Sequence, residues 1–132
     1  MKRILVFLLL ILFGGNPVLA GSGNELLDQC KGAIRTIDTK DYANADLFDV
    51  GLCFGYLHGS REAFVMSVTT LKIAGTYDNE VSKAALPCIP EQVEVGQLAR
   101  IFIKYAQSHP EELHERDTFL VHRAFVKAFP CK

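Results

Sequence analysis

Hydrophobic residues recur with helical spacing along four stretches of this sequence. Over residues 24–35, 47–71, 98–106 and 113–128, apolar side chains return every three or four positions, which is the period of an amphipathic α-helix. No stretch of useful length alternates apolar and polar residues as a half-buried strand does. The pattern therefore predicts a small all-α domain of four to five helices.

Capping residues and prolines set the predicted helix boundaries. Ser22 and Glu25 have the spacing of a capping box at the start of the first helix. Pro110, which two glutamates follow, is typical of the first position of a helix and is expected to start the last one. Pro130 ends that helix, and residues 75–94 form the longest irregular stretch between helices.

Three glycines in the second predicted helix are spaced four residues apart. Gly51, Gly55 and Gly59 would form a smooth stripe along which another backbone can approach closely. Because glycine costs up to about 1 kcal/mol at an interior helix position, three of them at this period indicate tight packing. Tyr56, beside the stripe, is expected in the core. We therefore predict a structural role in helix packing for these four residues.

The first twenty residues have the pattern of an export signal. Two basic residues precede ten apolar ones, residues 4–13, and small side chains end the segment at Ala20. A helix of ten residues spans about 15 Å, which is too short for a membrane core of about 30 Å. We expect a signal peptide at residues 1–20, cleaved after Ala20, and a single domain at residues 21–132 that has no membrane anchor.

Export would place the four cysteines in an oxidising compartment. Cys30, Cys53, Cys88 and Cys131 are an even number in a small exported domain, which predicts two disulfides. The four contain no Cys-x-x-Cys unit, so we do not expect a zinc site. If all four are paired, none is a nucleophile. Their spacing alone does not choose among the three possible connectivities.

Charge and motif content disfavour several classes of function. The chain has a net charge of −1, and residues 21–132, with 12 basic and 15 acidic residues, have a net charge of −3. A mildly acidic domain is a poor ligand for nucleic acid or for an anionic membrane surface. The sequence has no nucleotide-binding or hydrolase motif, and its histidines form no standard ligand set. We expect no catalytic residue, no metal and no cofactor, and hence no enzyme.

If the protein binds a partner, the irregular stretch at residues 75–94 is where we expect the contact. Loops on rigid scaffolds commonly carry binding residues. The most polar part of the stretch is Tyr77, Asp78, Asn79 and Glu80, in which an exposed tyrosine would be the anchor. The alternative, that this stretch is only a connector, stays open.

Five short motifs follow one another over nearly the whole chain after residue 20. They are Gly23–Leu27 with Cys30, Gly51–Tyr56 with Gly59, Cys88–Pro90 leading to Gln97, His109–Glu111, and Ala128–Cys131. In order and spacing they resemble the Rap/Tai immunity proteins of type VI secretion systems. Glu94 departs from the family pattern, in which a threonine or serine often caps the following helix, so we expect a weak cap there.

The resemblance implies both a fold and a function. The fold would be a compact helical one, similar to that of the HdeA-type acid-stress chaperones, in a periplasmic protein that often dimerises. Such proteins bind and neutralise toxins delivered by neighbouring cells, and in the Tai branch the toxin is a peptidoglycan amidase. The second hypothesis is a general periplasmic stress protein of the HdeA type, which would need exposed apolar surface or acid-triggered dissociation.

The resemblance also implies a disulfide pairing. Aligned on the HdeA-like pattern, Cys30 would meet Cys88, which leaves Cys53 for Cys131, and this is the pairing that we expect. A rival comes from helix geometry, because an antiparallel pair formed by the last two helices would bring Cys88 next to Cys131.

Overall fold

Five α-helices make up most of the protein in a computed structural model that describes residues 21–78 and 80–131. A 3₁₀ turn at Pro110–Glu112 precedes the last of them. The helices are α1 (Gly23–Thr39), α2 (Leu47–Ile73), α3 (Glu80–Ala85), α4 (Val95–Ser108) and α5 (Asp117–Ala128). The only β pairing in the described residues is two isolated bridges, so the predicted all-α class is confirmed. The expected signal peptide lies outside the described residues.

The helix starts follow the capping pattern of the sequence. Ser22 Oγ accepts a hydrogen bond from the Glu25 amide at 3.3 Å, as the capping-box spacing predicts. Asp46 caps α2, because its carboxylate accepts from the amides of the second and third residues of that helix. Glu94 precedes α4 without a side-chain cap bond, which confirms the weak cap expected there.

The last helix begins later than Pro110 predicted. The proline starts only the short 3₁₀ turn, and α5 begins at Asp117. The start of the domain holds the segment between them: the Gly23 amide donates to the Glu115 carbonyl at 2.9 Å, and the Asp117 amide donates to the Gly21 carbonyl at 3.1 Å. These tertiary bonds satisfy backbone groups that a continuous helix would otherwise pair internally.

The core lies where α1, α2, α4 and α5 meet. Its largest fully buried side chains include Leu57 of α2, Phe102 of α4 and Phe125 of α5. Gly23 at the start of α1 permits a close approach to α5, because a Cβ atom there would collide with the Leu120 side chain. On the inner side of α2, this packing buries Cys53 and Leu57 completely.

Two disulfides link these elements, and their pairing differs from the one expected. Cys30 on α1 is bonded to Cys53 on α2, and Cys88 is bonded to Cys131. Because α1 and α2 pack side by side, the Cα atoms of Cys30 and Cys53 are 5.1 Å apart. The Cys88 amide donates to the Phe129 carbonyl at 2.8 Å, which aligns the other pair. The expected pairing of Cys30 with Cys88 and Cys53 with Cys131 is therefore wrong, and the geometric rival for Cys88 is correct.

Candidate partner-binding surface

The polar segment that sequence reasoning chose as a binding loop is attached to the fold by its tyrosine. Tyr77 is only 7% exposed, and its hydroxyl lies 3.1 Å from Cys88 Sγ. The Lys72 ammonium lies 5.1 Å from the centre of its ring. Tyr77 is therefore not the exposed anchor that was predicted. Asp78 and Glu80 are exposed, whereas Asn79 lies outside the described residues.

The path of the chain after α2 explains the burial of Tyr77. Gly75 adopts a left-handed conformation with φ of 68°, which is accessible to glycine at little cost. Its amide donates to the Lys72 carbonyl, and the Thr76 amide donates to the Leu71 carbonyl. These bonds end the helix and turn the chain back, so the next side chain packs against the protein instead of projecting into solvent.

The three spaced glycines lie on the outer side of α2. A Cβ atom built on Gly51, Gly55 or Gly59 would have no heavy atom within 4 Å. Residues four apart on an α-helix differ by about 40° in direction, so the three form a continuous stripe, while Cys53 and Leu57 point inward and are fully buried. The prediction that this stripe packs tightly inside the fold is therefore wrong.

Large apolar side chains stand on the same side of the helix. Phe48 is 73% exposed and Met66 is 67% exposed. They are eighteen residues apart, which is about five turns and about 27 Å along the helix, so they flank the glycine stripe at its two ends. With Leu52, which is also exposed, they complete a surface that we call the α2 outer face: Phe48, Gly51, Leu52, Gly55, Gly59 and Met66.

This surface is costly for an isolated protein. Each interior glycine lowers helix stability by about 1 kcal/mol relative to alanine, and each exposed large apolar side chain forgoes about 1.5–3 kcal/mol of burial. The α2 outer face gives the fold no internal contact at the glycines in return. No helix among residues 21–78 and 80–131 is long and apolar enough to cross a membrane. Exposed apolar side chains grouped in this way are typical of an interaction surface.

Tyr56 ties the inner edge of the same helix to α5. It is partly buried and packs against the core, as expected for a structural residue. Burial, together with the hydrogen bond to Asp117 and the negative charge of that residue, raises the pKa of its hydroxyl to about 12. Tyr56 therefore stays neutral over the physiological range and serves to join α2 to the start of α5.

A charged cluster joins α4 to α5. Arg123 Nη1 lies 3.0 Å from a carboxylate oxygen of Glu112 and 3.0 Å from one of Glu115, and the Tyr105 hydroxyl donates to Glu112 at 3.0 Å. Partial burial acts to raise the pKa of Glu112, but the hydrogen bonds from Arg123 and Tyr105 outweigh it, so the pKa lies below 4.5. A carboxylate held ionised in this way is not a general acid at neutral pH.

The described residues offer no donor set for a metal. No three histidine, cysteine, aspartate or glutamate side chains among them are placed to hold one ion. All four cysteines are in disulfides, and a disulfide sulfur is neither a nucleophile nor a zinc ligand.

A model of the Rap1a immunity proteins matches residues 22–131, the stretch that carries both disulfides and the whole of α2. The chain belongs to the Rap1a immunity protein family. No curated protein and no solved structure matches it. Immunity proteins act by binding and are generally not enzymes, and the partner that membership in the Rap1a family implies is a toxin.

Sequence reasoning missed the α2 outer face as an exposed surface, although one signal was present. From Leu47 to Leu57 every residue except Asp49 is hydrophobic or glycine, which is more apolar surface than one helix face can bury. The helical period alone assigned all of it to the core. The excess of apolar residues over a single stripe was the signal that part of this helix is exposed.

Proposed function

We propose that this Rap1a family member is a periplasmic immunity protein that binds and neutralises a type VI secretion effector through the α2 outer face. The observation that carries the proposal is the exposed glycine stripe with Phe48 and Met66 at its ends. A stoichiometric inhibitor needs a complementary surface and no chemistry of its own, in keeping with the satisfied charged cluster on α4 and α5.

The glycine stripe suits a partner that approaches the backbone of α2 closely. Without side chains at Gly51, Gly55 and Gly59, an element of the toxin can lie along the helix and gain contact with both the backbone and the flanking apolar groups. Phe48 is the natural anchor, because large aromatic side chains at interfaces contribute disproportionately to binding energy. Each Å² of apolar surface that the toxin buries on this face would contribute about 25 cal/mol to the free energy of binding.

The periplasm is the compartment in which the scaffold and the target meet. Two disulfides require an oxidising environment to form and persist, and residues 1–20 have the pattern of an export signal. If the effector is a peptidoglycan amidase, as the resemblance to the Tai branch suggests, its substrate also lies outside the cytoplasmic membrane. The inhibitor must then be exported to protect the cell that makes it.

Competition between sibling cells tests this function. A strain that lacks the gene should lose survival when it is mixed with siblings that carry an active type VI apparatus. The full-length gene should restore survival, and a version without residues 2–20 should not, because its product stays in the reducing cytoplasm. Unchanged survival of the deletion strain, with no toxin recovered on the purified protein, would refute the immunity function.

Self-association and chaperone activity are the competing uses of the same face. Identical glycine stripes can pack across a two-fold axis, and light scattering of the wild type and the Gly55→Leu variant measures whether they do. A dimer that this substitution dissociates would assign the face to a second copy. A general stress protein of the HdeA type would instead suppress aggregation of unrelated proteins at acid pH, which an immunity protein is not expected to do.

A further inference from the structure

A separate cavity of about 250 Å³ opens between the last turns of α4 and α5, and no residue of α2 lines it. Ile101, Tyr105 and Ala124 give it an apolar wall. An apolar cavity of about 150 Å³ accommodates a benzene molecule. The cavity beside Tyr105 is therefore large enough for one aromatic or branched aliphatic group that carries a small polar substituent.

The aromatic wall of this cavity is held in place before any ligand arrives. The rings of Tyr105 and His109 stack with centroids 4.1 Å apart and planes 16° apart. The Tyr105 hydroxyl donates to Glu112, and His109 Nδ1 donates to the Tyr105 carbonyl at 2.8 Å. Because both rings are already fixed by hydrogen bonds, a ligand would not have to immobilise them, which reduces the entropy lost on binding.

Two lysines line the same cavity and have no acidic partner among the described residues. Lys104 and Lys127 contribute to its walls, and no carboxylate of the described residues lies within ion-pair distance of either. The acidic groups of the adjoining cluster, Glu112 and Glu115, are already held by Arg123. Lys127 Nζ lies 5.7 Å from the centre of the Tyr105 ring, so a positive charge stands directly beside the apolar wall.

We propose that this cavity binds a carboxylate attached to an aromatic or branched apolar group. The apolar group would pack on Tyr105, and the carboxylate would lie between Lys104 and Lys127. The same chemistry is offered by a free aromatic acid and by the C-terminal residue of a polypeptide. The cavity is independent of the α2 outer face, so this site does not depend on the proposed immunity function.

Titration of the purified, disulfide-bonded protein with three probes tests the site by NMR chemical shifts. N-acetylphenylalanine represents a chain end, phenylpropionate a free acid, and N-acetylphenylalanine amide the same ring without charge. We expect dissociation constants on the order of 1 mM for the two acids, with shifts confined to residues 101–109 and 124–128. The amide should bind at least about fivefold more weakly, because it cannot pair with the lysines.

The comparison of the two acids identifies the source of the ligand. Equal affinity indicates a free acid, and tighter binding of N-acetylphenylalanine indicates a chain end. Binding of the amide as tightly as the acids, or no shifts with any probe at concentrations of about 10 mM, would overturn the proposal.

Substitutions separate the charged part of the site from the apolar part. Lys104→Gln combined with Lys127→Gln should weaken acid binding about fivefold or more and leave the weak binding of the amide unchanged. Ala128→Phe, which places a ring at the cavity wall, should weaken the binding of all three probes. Lys31→Gln on α1 combined with Lys40→Gln, directly after that helix, removes the same charge elsewhere and is the matched control. If the variant with Lys104→Gln and Lys127→Gln is folded by NMR and binds the two acids with wild-type affinity, the proposed site is refuted.

Discussion

Replacing the glycines of the α2 outer face with alanine is expected to stabilise the isolated protein. Gly51, Gly55 and Gly59 lie inside a helix of 27 residues, and a Cβ atom at each meets open space. Alanine is favoured over glycine by about 0.8–1.0 kcal/mol at such positions. The triple substitution should therefore raise the free energy of unfolding by roughly 2–3 kcal/mol, a large share of the about 5–15 kcal/mol typical of a folded protein.

Urea unfolding followed by far-ultraviolet circular dichroism, with the disulfides intact, measures this change. The triple variant should unfold at a higher urea concentration with the same dependence on denaturant. Gly32→Ala on α1 is a matched control, because its Cβ also meets open space. This substitution should raise the free energy of unfolding by about 0.8–1.0 kcal/mol. Gly23→Ala should instead lower the free energy of unfolding by about 1–3 kcal/mol, because its Cβ collides with Leu120.

Destabilisation of the triple variant would contradict the account of this face. It would mean that the glycines pack against something in the isolated protein. Repeating the measurement at protein concentrations about tenfold apart separates self-association from internal packing, because only the stability of an oligomer depends on concentration. A loss of stability that is independent of concentration would refute the claim that the stripe faces solvent within the monomer.

Three further predictions concern the scaffold. Peptide mapping without reduction should recover a Cys30–Cys53 link, and replacing both of these cysteines with serine should lower the free energy of unfolding by about 3 kcal/mol; a Cys30–Cys88 peptide would contradict the fold. The pKa of Glu112 is depressed below 4.5, so the stability it provides is present above that pH and is lost as pH falls through the lower, folded-state pKa. Glu112→Gln should flatten the acid side of the stability profile, and an unchanged profile would show that the carboxylate is not held as described. Ultraviolet titration should place the hydroxyl groups of Tyr56 and Tyr105 at a pKa of about 12; ionisation of both near 10 would contradict their burial and hydrogen bonding.

The helical fold could be predicted from the sequence because its signals are local. Apolar periodicity and the Ser22 cap depend on neighbours within one or two turns, and both are confirmed in the structure. The late start of α5 was missed because it depends on hydrogen bonds to Gly21 and Gly23, about ninety residues away in the chain. The disulfide pairing depends in the same way on which helices become neighbours.

The binding surface was harder to predict because polarity and burial do not follow each other here. Tyr77 lies in a polar loop and is buried, whereas Phe48 lies in an apolar helix and is exposed. The period of a helix shows which residues share a side, but it does not show which side meets the core. At Gly55 the spacing indicated close packing within the fold, which is wrong, because a Cβ atom there meets open space.

Binding of the toxin recovered from the competition experiment to variants of the α2 outer face tests whether that face is the toxin-binding surface. Calorimetry should compare the wild type with Gly55→Leu on the α2 outer face and with Gly32→Leu on α1, which adds the same side chain where a Cβ also meets open space. We expect Gly55→Leu to remain folded and to bind the toxin at least about tenfold more weakly, while Gly32→Leu binds it like the wild type. Equal affinity of all three proteins would show that the toxin does not bind the α2 outer face.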